Sequence, residues 1–117
     1  MRTILEFPIN YSAEEAKERL RRYFDMYGFK TVMNGAEELK RGGSILLFGY
    51  YYIASQVAGN TVTLQAFIGK PGKSERDLEG FVGSVNKEKI RDILNEIREF
   101  LSMETMPTEE EWWSRNL

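Results

Sequence analysis

The sequence predicts an α+β fold: an antiparallel β-sheet with two helices packed on one face, in the order β-α-β-β-β(-β)-α. Three observations carry this. Two segments place apolar residues at i, i+3 and i+4 behind N-capping residues, the pattern of amphipathic helices. Between them, two-residue turn signals separate runs that read as strands joined by hairpins. The 117 residues, 42% hydrophobic and 29% charged, match one domain of ordinary globular composition.

The first strand is expected over residues 3–9, where Leu5, Phe7 and Ile9 share a face by the period of two. Pro8 has no N–H to donate, so this strand lies at an edge or leaves the sheet. Ser12-Ala13-Glu14-Glu15 is a capping box, and a helix should run from it to about Tyr27, stopped by Gly28. Its buried stripe is Ala13, Ala16, Leu20, Tyr23, Phe24 and Tyr27. Lys17, Arg21 and Arg22 fall on the solvated face.

Residues 29–33 read as a second strand. Asn34-Gly35 and Gly42-Gly43 then offer competing turns, with residues 36–41 either a short returning strand or a loop. The run from Ser44 to Ala58 reads as one long strand. Gly59-Asn60 turns it into a partner over residues 61–68, in a register that pairs Val57 with Val62, Ser55 with Leu64, Ile53 with Ala66 and Tyr51 with Ile68. Residues 69–77 form a polar loop, and residues 78–83 add a short edge strand at most. Asn86 is placed to cap a second helix ending near Met103, whose stripe is Ile90, Ile93, Leu94, Ile97, Phe100 and Leu101. Leu94 and Ile97 should be fully buried against the sheet.

Residues 1–105 are therefore expected to form the single domain, and residues 106–117 an acidic tail. Residues 101–117 hold four Glu against one Arg. Thr108 followed by Glu109, Glu110 and Glu111 starts a short capped turn carrying Trp112 and Trp113. Two adjacent tryptophans argue for docking on apolar surface, in the same chain or in a partner.

Composition excludes much chemistry. There are 16 basic and 18 acidic residues, so the net charge is −2, and a strongly basic nucleic-acid binder is disfavoured. There is no histidine and no cysteine, which removes the usual proton shuttle, thiolate chemistry and the usual zinc or copper ligands. Gly69-Lys70-Pro71-Gly72-Lys73-Ser74 resembles a phosphate loop only in part, because Phe67 stands where the motif needs its first glycine. Glu75, Asp77 and Glu79 alternate, but Arg76 interrupts them and no calcium-loop pattern follows. Ser102 and Ser114 have no base to activate them. Met1-Arg2 leads straight into strand-like sequence, so no targeting segment is expected, and no apolar run reaches membrane-spanning length.

What stands out is an excess of aromatic surface. In the long strand the odd positions Ile45, Leu47, Tyr51, Ile53 and Val57 form one face; Leu46, Phe48, Tyr50 and Tyr52 lie on the other, where Phe67 joins them across the hairpin. Two helices cover only one face. The second needs its own cover: the tryptophan tail, a second subunit or a ligand.

The element order resembles the TATA-box-binding-protein-like topology and, more loosely, helix-grip folds. Ala66-Phe67-Ile68-Gly69-Lys70, then Leu78-Glu79-Gly80-Phe81-Val82-Gly83, then the helix from Lys87 resemble an uncharacterised domain of Firmicutes-type bacterial proteins. In that family the domain often accompanies a zinc ribbon and a membrane segment, and this sequence has neither. The resemblance implies no catalytic residue. The sequence thus points to a non-catalytic interaction module using Leu46, Phe48, Tyr50, Tyr52, Phe67, Trp112 and Trp113 to bind a protein partner or a second copy as a homodimer. The alternative is a carrier of a small apolar ligand held between a curved sheet and the C-terminal helix. No metal, cofactor, nucleic acid or membrane insertion is expected, and the expected location is cytoplasmic.

Overall fold

A computed structural model describes residues 2–45, 49–69 and 84–115. Along the chain it forms β1 (Thr3–Pro8), α1 (Ala13–Met26), β2 (Lys30–Asn34), β3 (Glu37–Ile45), β4 (Gly49–Ala58), β5 (Thr61–Gly69), α2 (Ser84–Ser102) and α3 (Glu109–Arg115). The five strands make one antiparallel sheet in the order β1-β5-β4-β3-β2. This is an α+β fold. The N-terminal strand closes onto the last one, and Pro8 sits on an outer edge, where its missing N–H costs no sheet bond.

Two of the three expected caps are made. The Ser12 hydroxyl accepts from the Glu15 N–H at 3.1 Å at the start of α1. The Thr108 hydroxyl accepts from the Glu111 N–H at 3.2 Å, while Glu111 reaches back to the Thr108 N–H at 3.4 Å. Helix α2 begins at Ser84, two residues ahead of the Asn86 expected as its cap. Residues 70–83, which include the loop, the Glu75-Asp77-Glu79 cluster and the expected edge strand, lie outside the described residues.

The competing turns resolve in favour of the first. Asn34 pairs with Glu37, and Gly35 takes a φ of +65°, leaving a two-residue reversal. Gly42 and Gly43 instead lie within β3, where the register with β4 shifts between Gly42 and Ile45. The strand expected as continuous from Ser44 to Ala58 is therefore two strands. Ile45 pairs antiparallel with Gly49, so the chain reverses between them. Leu46 and Phe48 lie in sequence between the two strands, outside the described residues, and are not part of β4. A run of apolar residues hid the break between β3 and β4, because residues 45–48 carry none of the residue types that usually signal the end of a strand. The β4–β5 register matches the expected one at every pair.

The core lies between the sheet and the helices. Phe7, Ile53, Val62, Leu64, Ala66 and Ile68 on the inner face meet Ala16, Leu20, Tyr23 and Phe24 of α1 and Ile90, Leu94, Ile97, Phe100 and Leu101 of α2. Leu94 and Ile97 are 1% and 0% exposed. Trp112 from α3 is 0% exposed and belongs to the same cluster, so the acidic tail supplies a core residue.

One buried charge organises the helix layer. Arg19 of α1 is 4% exposed. Its guanidinium donates to the carbonyls of Met103 at 2.6 Å, Glu104 at 3.3 Å and Leu101 at 3.4 Å. A helix leaves its last carbonyls unpaired, and a cation there is doubly favourable. Arg19 also pairs with Glu15 at 3.1 Å and lies 4.3 Å from the Tyr11 ring, whose hydroxyl donates to Leu101 at 2.7 Å.

Candidate functional site

The outer face of the sheet is built by register. Arg41 of β3 stands opposite Tyr52 of β4, and Tyr52 opposite Phe67 of β5. Opposed side chains on one face come within about 5 Å at Cβ. Tyr52 and Phe67 stack, with centroids 5.2 Å apart and planes 10° from parallel. Gly69 makes this possible: a Cβ there would sit 2.7 Å from the Tyr52 ring, so only glycine lets the ring lie against β5. The Arg2 guanidinium lies 4.9 Å from the Phe67 centroid, and Arg41 lies 4.9 Å from that of Tyr50. Both are within cation–π range.

Arg2 does more than stack. It forms a fork with Glu37 at 2.8 and 2.6 Å and reaches Gln65 at 3.4 Å. Glu37 is on β3, so the pair spans three strand spacings, about 14 Å, across the outer face of β5 and β4. The Arg2 bond holds the Glu37 carboxyl below its ordinary value. Near this strap Phe67 is 7% exposed and Leu39 only 2%, although neither belongs to the main core cluster. The outer face thus carries a small second apolar layer, with Tyr50, Tyr52 and Ala54 half-buried on it.

The tyrosine hydroxyls here differ from those in the core. Among the described residues, those of Tyr50 and Tyr52 form no hydrogen bond. Among these residues no buried polar side-chain atom lacks a partner, so these two are open to water.

Trp112 and Trp113 do not reach this face. The Trp112 indole packs edge-on against Phe100, 5.0 Å away, and its Nε1–H donates to the Tyr27 hydroxyl at 2.9 Å. Tyr27 in turn donates to Glu96. Burial first, then Glu96, pushes the Tyr27 phenol up to about 12, and burial also raises the Tyr23 phenol. Trp113 stays 36% exposed, 4.8 Å from the Tyr27 ring, and donates to Glu109 at 3.1 Å. Of the seven residues expected to share one surface, the structure therefore brings together Tyr50, Tyr52 and Phe67. It places the tryptophans against the helices, and Leu46 and Phe48 lie outside the described residues. Sequence reasoning missed Arg2, Glu37, Leu39 and Arg41. Only the odd–even parity of β3 could have signalled Leu39 and Arg41, and that parity was hidden by the unresolved choice of turn.

The space between the sheet and α2 is occupied by Val62, Leu64, Ala66, Leu94 and Ile97, all 0–1% exposed. Among the described residues no group of three or more acidic side chains could hold a metal ion, and no helix is long and apolar enough to cross a membrane. No family model matches the chain, and neither a curated protein nor a solved structure matches it.

Proposed function

We propose that the protein is a non-catalytic interaction module whose outer sheet face binds a protein partner or a second copy of the chain. One observation carries this reading: two half-buried tyrosines with free, water-accessible hydroxyls stand beside a stacked phenylalanine and two arginines. Tyrosine and arginine dominate the energetics of protein interfaces, because each offers apolar area together with a polar tip. The order β-α-β-β-β-β-α, which precedes α3, supports a likeness to the TATA-box-binding-protein-like topology, but topology brings no function with it.

The test is site-specific photo-crosslinking from position 50 or 52 in cells, with position 110 as control, beside native mass spectrometry over a dilution series. Crosslinks specific to the outer face, or a dimer that dissociates in Tyr50→Ser/Tyr52→Ser, support the reading. A strict monomer with no crosslink specific to these positions refutes it.

A further inference from the structure

The edge of the sheet at β1 carries a second surface, independent of the tyrosine face. In an antiparallel ladder, alternate residues turn both backbone groups toward the same neighbour. The Ile9 N–H donates to the Asn60 carbonyl at 2.7 Å. The register therefore turns the backbone of Thr3, Leu5 and Phe7 toward β5. Ile4 and Glu6 direct their N–H and C=O groups the other way, along an edge that no other described strand pairs with. The Ile4 side chain, on the outer face, is 62% exposed.

Two hollows between β1 and α2 follow one another along this edge and together form its cleft. One part, of about 410 Å³, lies among Arg2–Leu5, Arg91, Leu94 and Asn95. The next, of about 570 Å³, is lined by residues 6–11, Arg98, Leu101 and Ser102. The α2 flank of the cleft is thus Arg91, Asn95 and Arg98, spaced at i, i+4 and i+7 along one side of the helix. Both arginines are exposed, and neither forms an ion pair or hydrogen bond among the described residues.

We propose that this edge accepts an extended acidic segment of a partner protein as a sixth strand. An incoming strand would pair with the backbone of Ile4 and Glu6, as in other β-augmentation. Its side chains would alternate between faces. Those on the outer face would lie beside Ile4 and should be apolar. Those on the inner side would lie beside Arg91, Asn95 and Arg98 and should be carboxylates. Pro8 has no donor on the free edge, which limits the pairing to the first half of β1. Two copies meeting edge to edge would set arginine rows against each other, like charge on like, so the occupant is an acidic segment rather than a second copy.

The probe is a short fluorescein-labelled peptide alternating valine and glutamate, titrated into the full chain by anisotropy, with a valine–lysine peptide as control. Expected is binding of the acidic peptide alone, with slowed hydrogen exchange at the Ile4 and Glu6 amides and no change at Leu5, whose amide already bonds to β5. Arg91→Glu/Arg98→Glu, on the exposed flank of α2, should weaken binding about tenfold or more. Ile4→Pro removes an edge donor without touching a β5 bond and should abolish it, with an unchanged circular dichroism spectrum confirming the fold. The proposal is overturned by equal binding of the lysine peptide, by absence of protection at Ile4 and Glu6, or by no binding up to about 1 mM peptide. Self-association lost in Ile4→Pro would also overturn it, in favour of a second copy.

Discussion

The two sides of the sheet use aromatic residues in opposite ways. On the helix side, Tyr23, Phe24, Tyr27, Phe100 and Trp112 interlock at 4.6 to 5.8 Å. There the polar tips of Trp112, Tyr27 and Tyr11 are all bonded within the chain. On the outer side, Tyr52 stacks on Phe67 with its hydroxyl left to water. A buried aromatic must find a partner for its polar tip, because an unmade bond there is costly. A half-buried one can leave that bond for another molecule. The same residue type therefore serves stability on one side and availability on the other, and the hydrogen-bond partner tells the two apart better than exposure does.

The contrast makes graded predictions. Trp112→Ala empties a fully buried site and should cost about 3–5 kcal/mol in urea unfolding. Tyr52→Ala should cost less than half as much, and an equal loss would break the comparison. The next effect is that of Tyr27→Phe, which leaves the Trp112 Nε1–H and the Glu96 carboxylate without their shared partner. A loss of about 1–3 kcal/mol is expected, with a shift of tryptophan emission, since Trp112 and Trp113 are the only tryptophans.

Alkali should act on the same network. The Tyr27 phenol is raised from its ordinary 10.0 to about 12, chiefly by burial. A raised acid favours the native state while it stays protonated. Its contribution is complete below pH 10 and is lost as pH rises from 10 towards 12. Unfolding midpoints should fall across that window. Tyr27→Phe should fall less steeply there, and an identical slope would remove Tyr27 from the account.

The smallest effect belongs to the strap. Glu37 is held below its ordinary 4.5 by Arg2, so the contribution of the pair is present above 4.5 and is lost as pH falls below it. Arg2→Ala should cost about 1 kcal/mol or less in stability, as partly exposed pairs do. It should nonetheless raise the exposure of Phe67 and Leu39, read as faster side-chain labelling or binding of a hydrophobic dye. Acid should do the same to the parent chain but not to Arg2→Ala. Unchanged exposure in the variant would show that the strap covers nothing.

Much of this could be read from the sequence, and what could not has physical causes. Helix α1, the stripe of α2 and the β4–β5 register follow from local rules: a capping hydroxyl, a period, a two-residue loop. The Thr108 cap was legible for the same reason. The division between β3 and β4 was not, because the apolar residues at 45–48 read as strand and the nearby glycines as turn. Arg2 and Arg19 were illegible for a different reason. Their partners lie 35 and 82–85 residues away, and no local pattern specifies a contact at that range. Trp112 was recognisable as a residue that docks, but its berth against Phe100 and Tyr27 depends on how three helices meet.

The closure of β1 onto β5 also bears on how quickly the structure can assemble. Every bond of that ladder joins residues 53 to 63 positions apart, and the Arg19 contacts span still more. Long loops must close before such contacts contribute, so their entropy falls on the transition state. Strands β4 and β5, joined by a two-residue turn, pair without that cost and supply the platform. The N-terminal strand is therefore expected to dock late: substitutions in β1 should speed unfolding, while those in the β4–β5 hairpin should slow refolding.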